Sequence, residues 1–144
     1  MNYINFFFEE TEVFDFPEET IKGQISKIID DGSDSIGEIG VIFCRDEYLL
    51  ELNKKYLNHD YYTDIITFNY SEGNFIAGDL YISVDRVKEN SEKYKVPFIY
   101  ELARVIFHGI LHLIGYNDSN TEDKVIMRQK EDHYLKCAEL LRLK

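Results

Sequence analysis

The sequence predicts an α+β domain: a small mixed sheet of about four strands, packed against about five helices. Three observations predict it. Apolar, β-branched or aromatic runs bounded by turn residues recur four times, and stretches with apolar residues at helical spacing recur five times. They follow in the order β-α-β-α-β-β-α-α-α, the order of an α+β domain with a small mixed sheet. With 144 residues, 44% hydrophobic and 30% charged, the chain has the size and balance of one core-forming domain spanning residues 1–144.

The elements follow in order. Tyr3–Phe8 (YINFFF) reads as a buried strand. Pro17, the acidic pair Glu18 and Glu19, and the spaced Ile21, Ile25, Ile28 and Ile29 read as a helix that stops near Asp31-Gly32. Ile36–Cys44 is a second strand. Asp46–Leu57 is a helix, with Asp46 placed to cap or charge its start. Thr63–Tyr70 and Phe75–Ser83, joined through Glu72-Gly73-Asn74, read as a hairpin. Val84–Tyr94 is a short polar helix ended before Val96-Pro97. Phe98–Ile114 is the most apolar helix, stopped by Gly115 and expected to pack on the sheet. The last helix runs from Thr121 to about Leu141, with Thr121 and Lys124 in place of a full capping box.

Composition narrows the function. No apolar stretch is long enough to span a bilayer and no signal peptide is visible at the N-terminus, so the expectation is a cytoplasmic protein with no membrane partner. Its two cysteines, Cys44 and Cys137, are expected as reduced core thiols. The formal net charge of −11 repels phosphate at long range and argues mildly against a nuclease.

The chemistry concentrates in FHGILHLIGYND, Phe107–Asp118. His108 and His112 stand four residues apart on one helix face, the spacing that lets two imidazoles bind one cation without bending the backbone. Gly115 tolerates positive φ and lets the chain reverse, so that Asp118 points back with a carboxylate oxygen. Three protein ligands leave a fourth tetrahedral position open, as in catalytic zinc sites. The competing reading of the histidine pair is two core residues bonded to carbonyls. His59, in a polar loop expected to be solvated, and His133, beside Asp132 in the last helix, lack ligand spacing.

The pattern of two histidines, glycine and aspartate is similar to the metal-binding stretch of metzincin peptidases. Those carry a glutamate base directly after the first histidine, where this chain has Gly109. Peptide hydrolysis needs that base to activate water and to protonate a poor leaving group. A phosphodiester depends more on charge neutralisation by the metal. The local chemistry therefore points to phosphodiester cleavage, and it outranks the global charge because an ion adds positive charge where a phosphate would sit.

Three blocks resemble the bacterial YbeY family of metal-dependent endoribonucleases. They are LNKKYLNHDYYTDIITF (Leu52–Phe68, with Ile66 where the family has leucine), AGDLYIS (Ala77–Ser83) and HGILHLIGYND (His108–Asp118). The N-terminal third resembles the family only in its order of elements. The resemblance implies a zincin-like placement of one zinc ion per chain on His108, His112 and Asp118. It also implies single-stranded ribosomal RNA as substrate, action at the 3′ end of small-subunit RNA, and a role in ribosome quality control. Two departures stand out. Asp118 replaces a third histidine and lowers the charge of a loaded site. Leu57 occupies the position of a common family arginine, and it can neither contact phosphate nor stabilise charge.

Lys54, Lys55 and Arg104 are candidate substitutes for that arginine, against the alternative that each is a solvated surface charge. Asp64 and Asp79 are the other polar residues of the matching blocks. Asp79, within an apolar strand, is expected to be a buried, hydrogen-bonded carboxylate that either orients a ligand or ties the strand to a loop. Tyr61 and Tyr62 could stack on bases, yet with eleven tyrosines in the chain packing is the expected role. The rival functions are a minimal zinc metallopeptidase, a ribosome-assembly factor whose metal is structural, and, more distantly, a non-haem iron oxygenase.

Overall fold

The computed structural model describes residues 3–138. Four strands and five helices follow in the order β1 (Ile4–Phe8), α1 (Glu18–Asp31), β2 (Ser35–Cys44), α2 (Asp46–Leu57), β3 (Ile65–Asn69), β4 (Phe75–Ser83), α3 (Val84–Tyr94), α4 (Phe98–Leu113) and α5 (Thr121–Ala138). The sheet has the order β1-β2-β4-β3. β1 runs parallel to β2 and β2 parallel to β4, while β3 and β4 form the expected antiparallel hairpin, which makes the sheet mixed. The expected extension of the last helix to Leu141 lies outside the described residues.

Strand alternation decides what each face carries. Val41, Phe43, Leu80 and Ile82 share one face and join the main core with Ile21, Ile25, Ile28, Leu102, Ile106 and Ile110 from α1 and α4. The YINFFF run supplies Phe6 and Phe8 to an aromatic cluster with Phe14, Phe16 and Phe43 on that side. On the opposite face α2 covers a smaller cluster of Cys44, Leu49 and Ile66, flanked by Tyr48, Phe68 and Tyr81. Among the described residues no single helix is long and apolar enough to cross a membrane.

Several local expectations are corrected. Cys44 is buried with its thiol pushed up to about 12, chiefly by burial, but Cys137 is exposed on α5 rather than in the core. Of the two roles expected for Asp46, it does not cap its own helix but does put an acidic charge in the first turn. Its carboxylate instead receives Ser83 Oγ at 2.6 Å and Arg86 Nη2 at 2.9 Å, while Asp85 accepts the Asp46 backbone N–H at 2.9 Å. The starts of α2 and α3 thus brace each other. The cap of α5 is Asn120, whose side-chain oxygen accepts the Asp123 N–H at 2.8 Å; Thr121 is already helical.

Candidate metal centre and its flanking clefts

α4 is the platform for the site. It lies so close to the sheet that a Cβ on Gly109 would come within 2.6 Å of Leu80 Cδ2 and 2.8 Å of Ile65 Cδ1. With its sheet side filled in this way, the helix directs His108 and His112 into the space between β3 and α5. Its last turn closes with two hydrogen bonds, Gly115 N–H to His112 O at 3.1 Å and Tyr116 N–H to Leu111 O at 3.0 Å. Gly115 has φ +108°, a conformation that favours glycine. The reversal brings Asp118 back over the helix end.

The three atoms meet. His108 Nε2 and His112 Nε2 are 3.0 Å apart, and Asp118 Oδ2 lies 3.2 Å from the first and 3.4 Å from the second. Donors about 2.0–2.1 Å from a tetrahedral ion are separated by about 3.3 Å, so this triangle has the dimensions of one face of a zinc coordination shell. The other nitrogen of each ring is engaged. His112 Nδ1 donates to the Tyr116 carbonyl at 2.9 Å, and His108 Nδ1 lies 2.7 Å from Glu131 Oε2. Those partners accept, so each ring's Nδ1 carries a proton and its Nε2 faces the shared point. Two such nitrogens at 3.0 Å need something positive between them, a proton or a cation. The trio is a candidate cation site on its donor chemistry.

Charge around the trio is arranged in depth. Buried Glu131, on α5, holds His108 with one oxygen and Arg104 Nη1 with the other at 3.0 Å. Arg104 also reaches Asp132 at 2.8 Å. Burial works against a charged His108, but the hydrogen bond and charge of Glu131, then Asp118 and Asp64, outweigh it and raise the imidazole above its ordinary value. Burial raises the Asp64 carboxyl; His108 and the backbone N–H groups of Asp64 and Ile65 oppose that shift. Glu101, near Arg104, is also raised by burial.

Two clefts meet at the trio, and Asp64, His108 and Asp118 line both. The cleft on the α5 side, about 390 Å³, is lined also by Asn90, Tyr94, Lys124 and Arg128. The cleft on the β3 side, about 540 Å³, includes Leu57, His59, Tyr61, Thr67 and Asn69.

The remaining candidate residues fall unevenly. Arg104 is neither solvated nor free, because its guanidinium is occupied by Glu131 and Asp132. Lys54 approaches Glu51 and Asp60, Lys55 lies over the Tyr56 ring, and neither lines the two clefts. Asp79 orients no ligand and ties no loop. It alternates with Leu80 and Ile82, so it sits half-buried on the sheet face turned away from α4, against Gly40, its carboxyl raised by burial and without a hydrogen-bond partner among the described residues. Tyr61 and Tyr62 are 56% and 48% exposed, not packed in the core. His59 is exposed, as expected, and stacks on the exposed Tyr61. His133 sits by Cys137, outside the site.

The sequence assigns no site role to Glu131, Lys124 or Arg128, and names Lys124 only at the start of the last helix. A signal for Glu131 existed: it falls on the buried stripe of Met127, Tyr134 and Leu135, where a carboxylate needs a reason. Lys124 and Arg128, also four apart on α5, carried no such signal.

The sequence profile of the Endoribonuclease YbeY family matches residues 6–139. An endoribonuclease YbeY of Flavobacterium psychrophilum is 52% identical over 124 residues, 85% of this chain and 89% of the relative. One of Parabacteroides distasonis is 43% identical over 132 residues, 92% and 93% of the two chains. The solution structure of a Thermotoga maritima protein superposes with a TM-score of 0.64 at 25% identity, covering 94% of this chain and 88% of the other. A match spanning nearly the whole domain, including the histidine–glycine–aspartate segment, leaves one assignment: the chain belongs to the endoribonuclease YbeY family.

Proposed function

We propose that this chain is a zinc-dependent endoribonuclease that cuts single-stranded RNA in the cytoplasm, maturing the 3′ end of small-subunit ribosomal RNA in contact with that subunit. The observation that carries the metal chemistry is the triangle of His108, His112 and Asp118 donors at 3.0–3.4 Å, with both outer ring nitrogens already bonded. A divalent ion held there supplies Lewis acidity toward a phosphoryl oxygen and acidifies a water molecule.

The chain's own residues do the rest. Glu131 fixes the ring orientation of His108, and Arg104 fixes Glu131. Close packing of Gly109 on Leu80 leaves no room for the glutamate a peptidase would carry there. Asp64 sets a partly buried negative charge beside the site, and the two clefts offer an extended strand a path across it. The ribosomal substrate is drawn from the family resemblance.

Leu57, lining the β3-side cleft without a charge, favours a second reading, an assembly factor whose metal is structural. Purified protein assayed for metal and incubated with single-stranded RNA and with casein separates them. The expected result is RNA cleavage, lost in His112→Ala, with casein intact. Bound metal without cleavage of either substrate, in a protein that sediments with ribosomal subunits, selects the second reading.

A further inference from the structure

We propose that Lys124 and Arg128 bind the phosphates of the RNA strand on the α5 side of the scissile bond, making that cleft the backbone-binding half of the substrate track. The inference rests on the endoribonuclease reading and specifies the part of the site that it leaves open. The two residues stand four apart on α5, so their side chains rise from the same face one turn apart. Both are exposed, and both line the cleft that ends at His108 and Asp118. Neither has an ion-pair partner among the described residues, whereas Arg104, deeper in the same cleft, is committed to Glu131 and Asp132.

The opposite cleft contrasts with this one. It contains no lysine or arginine, and offers Leu57, the stacked His59–Tyr61 pair, Thr67 and Asn69, groups suited to ribose and bases rather than to phosphate. In a chain with 27 acidic against 16 basic residues, two unpaired cations one turn apart at the mouth of the candidate site are where a polyanion can gain contact. Of the four acids lining this cleft, Glu131 is tied on both oxygens, Glu101 is buried beside Arg104, Asp118 belongs to the candidate cation site, and Asp64 is a partly buried carboxyl next to that site. Asn90 and the half-exposed Tyr94 complete the wall.

The test is the affinity of metal-loaded protein for a short fluorescein-labelled single-stranded oligoribonucleotide, measured on ice across a salt series with the length of the strand checked after each titration. Lys124→Ala/Arg128→Ala is expected to weaken binding about tenfold or more and to flatten the log–log salt dependence by about 1 to 1.5, as for two lost phosphate contacts on a single strand. Metal content and Tm should stay at the wild-type values, and Lys124→Arg/Arg128→Lys should restore both affinity and slope. Lys54→Ala/Lys55→Ala should leave both unchanged. Unaltered affinity and slope in the α5 double variant, or a loss that appears instead in the α2 pair, overturns the inference while the nuclease reading stands. A wild-type protein that neither binds nor cuts RNA overturns both.

Discussion

Glu131 controls the site without belonging to it. Its carboxylate takes the proton side of His108 at 2.7 Å and leaves Nε2 aimed at Asp118. Removing the charge while keeping the shape weakens the hold on ring orientation and lowers the basicity of the ligand nitrogen. Glu131→Gln is therefore expected to reduce zinc affinity about 10- to 100-fold in a chelator competition, with an unchanged far-ultraviolet circular dichroism spectrum. Glu131→Asp, shorter by one carbon, should fall between. Unchanged affinity in the glutamine variant would remove Glu131 from the account. The candidate cation trio was legible because its three positions, two on α4 and Asp118 just beyond it, lie within eleven residues of chain. Glu131 is 23 residues from its histidine, and only the docking of α5 joins them. The place of Asp79 is legible in the alternation with Leu80 and Ile82, which sets it on the face away from α4.

At the scale of elements, the site depends on how closely α4 approaches the sheet. Gly78 in β4 is where approach is tightest: an added Cβ would press on the Phe68 carbonyl of β3 and come within 2.8 Å of Leu113 Cδ2. The carbonyl belongs to the hairpin ladder and cannot swing aside as a side chain does. Gly78→Ala is expected to cost roughly 1–3 kcal/mol, the usual size of an overpacking penalty, and to lower Tm by several degrees in thermal denaturation. Gly109→Ala presses only on Leu80 and Ile65 side chains and gains helix propensity, so it should cost less. An equal or larger loss in Gly109→Ala would mean that α4, not the hairpin, is the stiffer partner. Every one of the nine elements was readable from periodicity and punctuation, because strand and helix patterns here are long and cleanly bounded. Caps were less readable. Asn120 caps α5 in place of Thr121, and Asp85 takes the capping half of the role expected of Asp46, which keeps the charging half, because several capping residues compete near each helix start and tertiary contacts choose among them.

For the whole molecule, net charge proved a poor guide to the site. The −11 is a sum over the whole chain, whereas binding of an anion is decided within a Debye length of about 10 Å, where Lys124, Arg128 and a cation held by the candidate site would set the local field. The same local charges couple metal binding to pH. In the metal-free chain His108 is raised above the ordinary histidine value, so its contribution to stability is complete below about 6.5 and disappears as pH climbs through the higher folded value. Asp64 and Glu101, raised by burial, act in the same direction: the folded state keeps their protons longer than the unfolded chain does, so stability declines as pH rises from the carboxylate range. Metal-free protein should thus melt at a lower temperature at pH 8 than at pH 6. A cation competes with the proton on His108, so its binding strengthens over that interval. The rise in Tm on adding zinc is expected to be larger at pH 8, where saturation at about 100 times Kd adds about 2.7 kcal/mol. Calorimetric scans of wild type and His112→Ala at both pH values, with zinc and with chelator, measure it. A zinc-induced shift that is equal at the two pH values, or that survives in His112→Ala, would place the ion elsewhere in the molecule.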